Sequence, residues 1–295
     1  MENKLISVVI VNYNTAEILR DCLNNLKNVY PNLEIIVVDN ASPDDSVKVI
    51  KEFKEVVLVA NEANMGLAKA SNQGLAKTTG DYILYLGADA FPKEGTLAGM
   101  LEYMEENTKV GVATSKLVLR DGNLDMDAHR GFPTPWASFC HFSGLNKIFP
   151  NSSFFNKYFL AGNNMQEPHE IDLCISHMML IKREVFFDLK QWDEDFFVYG
   201  EDVDFCYRAK QAGWKIMYLP QWETLHYKGS SVGVRKESAD LSKATPQIKY
   251  EMKRSSVNAM KMFYTKHLTK KYPFFINFLV LNGIGLLGIL RTRKK

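Results

Sequence analysis

Leu5-Ile6-Ser7-Val8-Val9-Ile10-Val11-Asn12-Tyr13-Asn14 opens the chain with an apolar run that ends abruptly on polar residues. The run is continuous and rich in β-branched residues rather than alternating, which marks a strand buried on both faces. It is short and stops at Asn12, so it reads as a strand and not as a signal peptide, and the start of the protein is expected to face the cytoplasm. The same rhythm repeats outward. Apolar runs at Ser7–Val11, Glu34–Val38, Val56–Val59 and Tyr82–Leu86 alternate with helical patterns at Thr15–Leu26, Pro43–Phe53 and Leu67–Thr78. That alternation predicts an α/β fold with a mostly parallel central sheet flanked by helices. Ser42-Pro43 fits a helix N-cap and first helical position. Asn12–Thr15 and Asp39–Ser42 follow the carboxyl ends of strands, the edge where open α/β sheets bind ligands.

The 295 residues suffice for one large α/β domain with an appended segment. A hydrophobic share of 46% and a charged share of 24% are those of a folded globular protein, and a net charge of +2 gives no reason to expect a nucleic-acid partner. Cys22, Cys140, Cys174 and Cys206 lack a framework spacing and suit a reducing compartment.

From Asp121 to about Glu170 the pattern turns irregular, rich in Gly, Pro, Asn and aromatic residues, as in Gly131-Phe132-Pro133-Thr134-Pro135-Trp136. Such a stretch is an excursion over an active site or an elaboration without clear periodicity. Order resumes with Ile175–Lys182, a helix near Val203–Ala212 and a strand at Lys215–Leu219 ended by Pro220. Beyond Ser238 the chain becomes basic, with an amphipathic helix expected over Tyr250–His267. Phe274–Leu290 is then almost wholly apolar between Lys270-Lys271 and Arg291-Thr292-Arg293-Lys294-Lys295. This segment is at the short end of a transmembrane span and holds Asn277 and Asn282. It is expected to lie on or dip into the inner leaflet, with a true span or docking against the globular part as alternatives.

The chemistry concentrates in Trp192-Asp193-Glu194-Asp195-Phe196-Phe197-Val198-Tyr199-Gly200-Glu201-Asp202-Val203-Asp204, six carboxylates and four aromatic rings in thirteen positions. A cleft that holds a carboxylate against a partly apolar ligand wants both; an acidic turn leading into a helix would read the same way. No dinucleotide glycine fingerprint or Walker loop is present. A nucleotide can still be held: Tyr13 can stack on a base, Asp39 can accept from a base or ribose, and Asn64-x-Gly66 and Asn72-x-Gly74 place amides and small residues around a helix start. A strand-end Asp is equally often a cap. Asp89, emerging from the strand Tyr82–Leu86, suits a Mg²⁺ or Mn²⁺ ligand, or is a turn residue before Pro92. His226 becomes a second ligand if the chain folds back to the same cleft, and is otherwise structural. Cys174-x-x-His177 lies in an apolar run with no second pair, which argues against zinc.

Taken in order, these segments resemble the inverting family-two glycosyltransferases with the GT-A fold. The resemblance is strongest to the bacterial rhamnosyltransferase-like branch that works on cell-wall, capsule and O-antigen polysaccharides. It is carried by Val9-Ile10-Val11-Asn12-Tyr13-Asn14, Ile36-Val37-Val38-Asp39-Asn40-Ala41-Ser42, Asn64-Met65-Gly66-Leu67-Ala68 with Asn72-Gln73-Gly74, and the strand before Asp89. Met179-Leu180-Ile181-Lys182-Arg183, Asp193–Arg208, Ala212-Gly213-Trp214 and His226 complete it, over residues 5–235.

The resemblance implies a division of labour. Asn12, Tyr13, Asp39, Asn64, Gly66 and Asn72 would hold the nucleotide; Asp89, helped by His226, would hold Mg²⁺ or Mn²⁺ on the diphosphate. Asp202 would be the general base for the acceptor hydroxyl, with Glu201, Trp192 and Phe196 beside the acceptor. One base is sufficient, because a metal-neutralised nucleoside diphosphate leaves without an acid. The triplet Gly87-Ala88-Asp89 departs from the family pattern, which carries Asp or Asn at its first position. Residues 1–238 are expected to form the catalytic domain, 1–120 binding the nucleotide-sugar and 121–238 the acceptor, and 239–295 a membrane-association segment. The donor implied is dTDP-L-rhamnose, with a UDP-hexose or UDP-N-acetylhexosamine as alternative. The acceptor implied is a polyprenyl-diphosphate-linked saccharide or polysaccharide at the cytoplasmic face of the plasma membrane. A non-catalytic glycan-binding scaffold and a sugar nucleotidyltransferase are the competing classes.

Overall fold

The computed structural model of the protein describes residues 4–228 and 245–292. The expected domain boundary at 238/239 and the basic tip Arg293-Lys294-Lys295 lie outside the described residues. β1 (Ile6–Asn12) pairs in parallel with β2 (Leu33–Asp39) on one side and β4 (Tyr82–Leu86) on the other, and β2 pairs in parallel with β3 (Val56–Ala60). The connecting helices are α1 (Ala16–Leu26), α2 (Ser46–Lys51) and α3 (Leu67–Leu75). Burial of β1 on both faces is met literally. Ile6, Val8 and Ile10 join Leu19, Leu23 and Leu26 of α1 in one core, while Val9 joins Ala68 and Leu75 of α3 in another. The β1–β2 register sets Asn12 opposite Asp39, so two polar strand ends stand side by side.

Beyond β4 the sheet becomes mixed. β8 (Met178–Lys182) runs antiparallel between β4 and β6 (Val110–Leu119). β9 (Lys215–His226) lies parallel to β6, and the short β5 (Ala90–Pro92) and β7 (His169–Ile171) run antiparallel to β9. Two boundaries differ from the sequence reading. α2 begins at Ser46 and not at Pro43: Ser42 instead accepts from the Asn14 N–H and the Asn12 amide, while Asp44 receives the Ser46 N–H. β9 also continues past Pro220 to His226, because the register shift against Ser115 and Lys116 lets Pro220 fall in a bulge where no ladder donor is needed. That extension brings His226 back beside Ala90.

The irregular stretch is partly ordered. It carries α5 (Pro135–Ser143), capped by Thr134, the short α6 (Leu145–Ile148), and a bridge between Arg130 and Leu173. α4 (Thr96–Glu106) and α7 (Arg183–Asp188) cover the sheet, and α8 (Glu201–Gln211) follows the acidic loop. α9 (Pro246–His267) then docks on α8 through Phe196, Tyr207, Ala259, Phe263, Tyr264 and Leu268. α10 (Phe274–Thr292) folds back against α9: Tyr264 donates to Asn277 Oδ1 at 2.7 Å, and the Asn277 amide donates to Thr269 O and Tyr272 O. Asn277 therefore fastens a helical hairpin. α10 is long and apolar enough to cross a membrane, with no residue fully buried, and Phe274, Phe275, Phe278, Leu279, Leu286, Ile289 and Leu290 exposed.

Candidate active site

Two strand ends build the first part of the site. The buried Asp39 carboxylate accepts from Asn12 Nδ2 at 2.9 Å and from the Ser42 N–H at 3.0 Å. Asn14 and Ala41, at the two loop corners, adopt left-handed backbone (φ 58° and 63°), a conformation that non-glycine residues hold only where the surroundings impose it. Tyr13 stays half-exposed beside them. Asn40, not anticipated as a site residue, is the hub of the next layer. Its amide donates to Asn64 Oδ1 at 2.9 Å and to Gly66 O, and its oxygen accepts from the Met65 N–H. Asn64 and Gly66 are thereby held at the start of α3. Asn72 points elsewhere: its amide donates to Trp192 O and Glu194 Oε1 and its oxygen accepts from the Trp192 N–H, which binds α3 to the acidic loop and leaves it out of the strand-end cradle.

Asp89 leaves the end of β4 and is buried; His226, at the end of β9, faces it with Nε2 3.6 Å from Asp89 Oδ1. His177, just before β8, brings Nε2 to 3.9 Å from the same oxygen. One ligand atom from each of the three lies within 4.8 Å of the others. These separations are too long for hydrogen bonds, yet suit donors gathered on one cation with bonds of about 2.0–2.2 Å. His226 Nε2 is buried without a hydrogen-bond partner, while its Nδ1 is oriented by Asp125 Oδ2 at 2.8 Å. A carboxylate behind a ligating imidazole fixes the ring and its tautomer. Asp125 in turn is bonded by Lys228. Burial alone would lower the His226 pKa, but Asp89 and Asp125 outweigh it and raise it to about 9. The two carboxylates thus favour a positive charge at this point. Neither Asp125, which comes from the irregular stretch, nor His177, which the sequence offers only in a Cys174-x-x-His177 spacing that argues against zinc, carries a local signal for this cluster.

The third part is the first turn of α8. Glu201 and Asp202 are adjacent buried acids, set at the helix N-terminus where a negative charge is favoured. Gly200, at φ 90°, permits the turn into the helix, and a Cβ there would meet Phe196 at 2.8 Å. Burial first, and then the charge of Asp202, push the Glu201 carboxyl up to about 8. Its Oε1 accepts from Ser176 Oγ at 3.3 Å. Burial also raises Asp202, opposed by the Arg130 guanidinium 3.9 Å away and by the Val203 N–H. The two carboxyls are unequally supported: burial pushes both up, and the Arg130 guanidinium opposes that push on Asp202. Ser176-His177 joins this pair to the Asp89 cluster.

The remaining acids of the loop do other work. Asp193 pairs with Lys266, Glu194 binds Asn72, and Asp204 receives Arg208, Lys266 and His267. Trp192 and Phe196 also depart from the expected acceptor wall. Trp192 packs among Tyr85, Phe186 and Phe205, and Phe196 against α9, at 2% and 1% exposure. Burial of this size drives such rings inward, by about 1.5–3 kcal/mol each. Phe197 and Tyr199 are the rings of this loop that remain exposed.

Residues 7–189 match the family described as Glycosyl transferase family 2. The chain is 31% identical over 120 residues to a poly-β-1,6-N-acetyl-D-glucosamine synthase of Staphylococcus epidermidis, a match covering 39% of this chain and only 29% of that protein. It is 23% identical to the rhamnosyltransferase WbbL of Escherichia coli over 76% of this chain and 83% of that one. It is 24% identical to the N-acetylglucosaminyl-diphospho-decaprenol L-rhamnosyltransferase of Mycobacterium tuberculosis over 68% of each. Among solved structures it is similar to GalNAc-T7 with UDP, GalNAc and Mn²⁺ (TM-score 0.58, 18% identity, 91% of this chain and 58% of that one). A second is the mannosyltransferase PcManGT of Pyrobaculum calidifontis with GDP-Man and Mn²⁺ (TM-score 0.55, 17% identity, 97% and 81%). These likenesses show the GT-A fold.

Proposed function

The chain belongs to glycosyl transferase family 2, and on that premise we propose that it is an inverting glycosyltransferase that moves L-rhamnose from dTDP-L-rhamnose onto a lipid-linked saccharide. The observation that carries this reading is the buried, adjacent Glu201–Asp202 pair, in which Asp202 has the Arg130 guanidinium 3.9 Å away and Glu201 has the Ser176 hydroxyl, joined through Ser176-His177 to the Asp89 cluster. Asp202 takes the proton of the acceptor hydroxyl as that oxygen bonds to the anomeric carbon. The carbon–oxygen bond to the diphosphate breaks on the opposite face, which inverts the centre. Asn12, Tyr13, Asp39, Asn64 and Gly66 cradle the nucleotide. Asp89 and His226 would hold Mg²⁺ or Mn²⁺, which neutralises the charge developing on the leaving diphosphate. Residues 1–120 serve the donor and 121–238 the acceptor.

The rhamnosyl donor is supported by the two rhamnosyltransferases, which match most of this chain at low identity. Binding and hydrolysis of dTDP-rhamnose, UDP-glucose and UDP-N-acetylglucosamine, each with Mn²⁺, with Mg²⁺ and with a chelator, test it. Metal-dependent selection of dTDP-rhamnose is the expected result. Selection of a UDP-sugar discards the rhamnosyl donor, and binding to none of them favours a non-catalytic scaffold.

The acceptor follows from the α9–α10 hairpin. A groove of about 460 Å³ runs between loop residues Asp195–Tyr199 and α9, beside Asn258 and Met262. α10, packed on the same α9, carries an exposed apolar face, so an inner-leaflet surface would seat α10 and present a polyprenyl-diphosphate-linked saccharide to the cleft. Replacing Phe275, Leu279 and Leu286 together by Glu leaves the α9-facing side untouched and is expected to release the protein from anionic vesicles in flotation. Undiminished flotation overturns the membrane reading.

A further inference from the structure

Position 87 is where the metal triplet lacks its first side chain, and the structure puts another side chain in that space. The antiparallel register of β4 and β8 sets Leu86 opposite Met178, and one step further the Gly87 N–H donates to His177 O at 3.1 Å. The His177 ring lies over the glycine. A Cβ at residue 87 would come within 2.6 Å of His177 Cδ2, 3.1 Å of Cγ and 2.9 Å of Asp89 Oδ1. Gly87 is not among the positive-φ glycines, so its backbone does not demand glycine; the space does.

We propose that His177 is a third metal-ligating side chain, occupying across the sheet the place that the glycine at 87 leaves open. This rests on the reading that Asp89 and His226 hold a divalent cation. Three observations support it. His177 Nε2 approaches Asp89 Oδ1 to 3.9 Å and its ring centroid lies 4.8 Å from that of His226, so both imidazoles converge on one carboxylate. His226 Nε2, which faces Asp89, is a buried atom with no hydrogen-bond partner, and His177 Nδ1, the nitrogen other than the one 3.9 Å from Asp89, has none either, so no hydrogen bond at Nδ1 seats the His177 ring as a purely structural side chain would be expected to be seated. Finally, any side chain at residue 87 would displace the ring, so Gly87 and His177 are one arrangement and not two independent changes.

The donor set sets the metal class. Mg²⁺ takes oxygen ligands and sheds water reluctantly, whereas imidazole suits later divalent ions. One carboxylate with two imidazoles therefore favours Mn²⁺ or Co²⁺ over Mg²⁺ more strongly than an all-carboxylate triplet does.

The test is Mn²⁺ titration of the full-length protein, alone and with dTDP, followed by the electron paramagnetic resonance of free Mn²⁺, with pulsed spectra counting the bound nitrogens. The wild type is expected to show two imidazole nitrogens. His177→Ala should show one and bind Mn²⁺ at least about tenfold more weakly, on the scale of lost metal-site support. Gly87→Asp alone should not strengthen binding, because its side chain collides with His177. The double variant Gly87→Asp/His177→Ala should recover affinity and shift preference from Mn²⁺ toward Mg²⁺. If His177→Ala keeps wild-type affinity and two nitrogens while Asp89→Ala loses the ion, the proposal is overturned and the Asp89–His226 site stands. If Asp89→Ala also binds as the wild type does, the underlying metal site is itself wrong.

Discussion

Asp202→Asn lowers turnover by about 10²–10⁴-fold, the contribution of a positioned general base, and leaves donor affinity unchanged. The amide keeps the shape and the Val203 contact but cannot take the acceptor proton. Glu201→Gln is expected to cost far less, roughly the tenfold that one hydrogen bond of about 1.4 kcal/mol represents. Glu201 is the partner that keeps its proton near neutrality, at about 8, so an amide resembles its working state. The pH profile gives an independent reading. Asp202 works ionised, so activity rises with pH through its titration. Arg130 opposes the upward push of burial on Asp202. Removing that guanidinium as Arg130→Gln lets Asp202 rise further, and the acidic limb of kcat/KM moves to higher pH. An unmoved limb, or an Asp202→Asn enzyme that turns over normally, removes Asp202 from the chemistry.

What the sequence made legible follows from the range of the interactions that set it. β1, β2 and β4 were readable because a strand buried on both faces writes itself locally, as an unbroken apolar run, and β3, an edge strand with no buried residue, carries a similar apolar run. The polar ends at Asn12 and Asp39 were readable for the same reason. His177 was not, since its meaning depends on which strand lies beside β4, a pairing between residues 86 and 178 that no local pattern reports. Asp125 sits in a stretch without periodicity and acquires its role only when β9 runs through the Pro220 bulge to carry His226 back. The composition of the acidic loop could not say which of its rings face inward. Trp192 and Phe196 went to the core because a neighbouring helix, distant in sequence in the case of α9, was there to cover them. Asp202 is singled out by resemblance, and the proposal that it is the base draws on the unequal support of two adjacent acids.

Asp204→Asn is expected to destabilise the protein by about 3–5 kcal/mol, the cost of stripping one partner from a buried charge network. Asp204 is fully buried and accepts from Arg208 Nε at 2.7 Å, Lys266 Nζ at 2.7 Å and His267 Nε2 at 2.6 Å. An amide leaves three cationic or polar groups converging on a neutral one. Burial by itself would raise the Asp204 carboxyl, but the hydrogen bonds from His267 and Lys266 and the Arg208 charge hold it at about 2 against the ordinary 3.8. A depressed carboxylate contributes stability that is full above its unfolded value and lost as pH falls through the folded one. The gap is worth roughly 2 kcal/mol, so about that much of the wild type's advantage over Asp204→Asn should be lost between about pH 4 and pH 2 in thermal melts. Equal melting temperatures at pH 7 would show that the network stabilises nothing.

The same variant tests whether the proposed transfer is coupled to the proposed membrane contact. Residues two apart on a helix point to nearly opposite sides, so Asp202 faces the cleft while Asp204 faces α9. One rigid helix thus presents the proposed base on one side and grips the α9–α10 hairpin on the other. Freeing that grip should raise amide exchange in α9 before α8. It should also weaken transfer to a membrane-held acceptor more than transfer to a soluble one, because the soluble acceptor needs no fixed distance between bilayer and base. Equal losses on both acceptors would mean that Asp204 supports the fold of α8 alone, and that the hairpin binds the membrane without positioning the site.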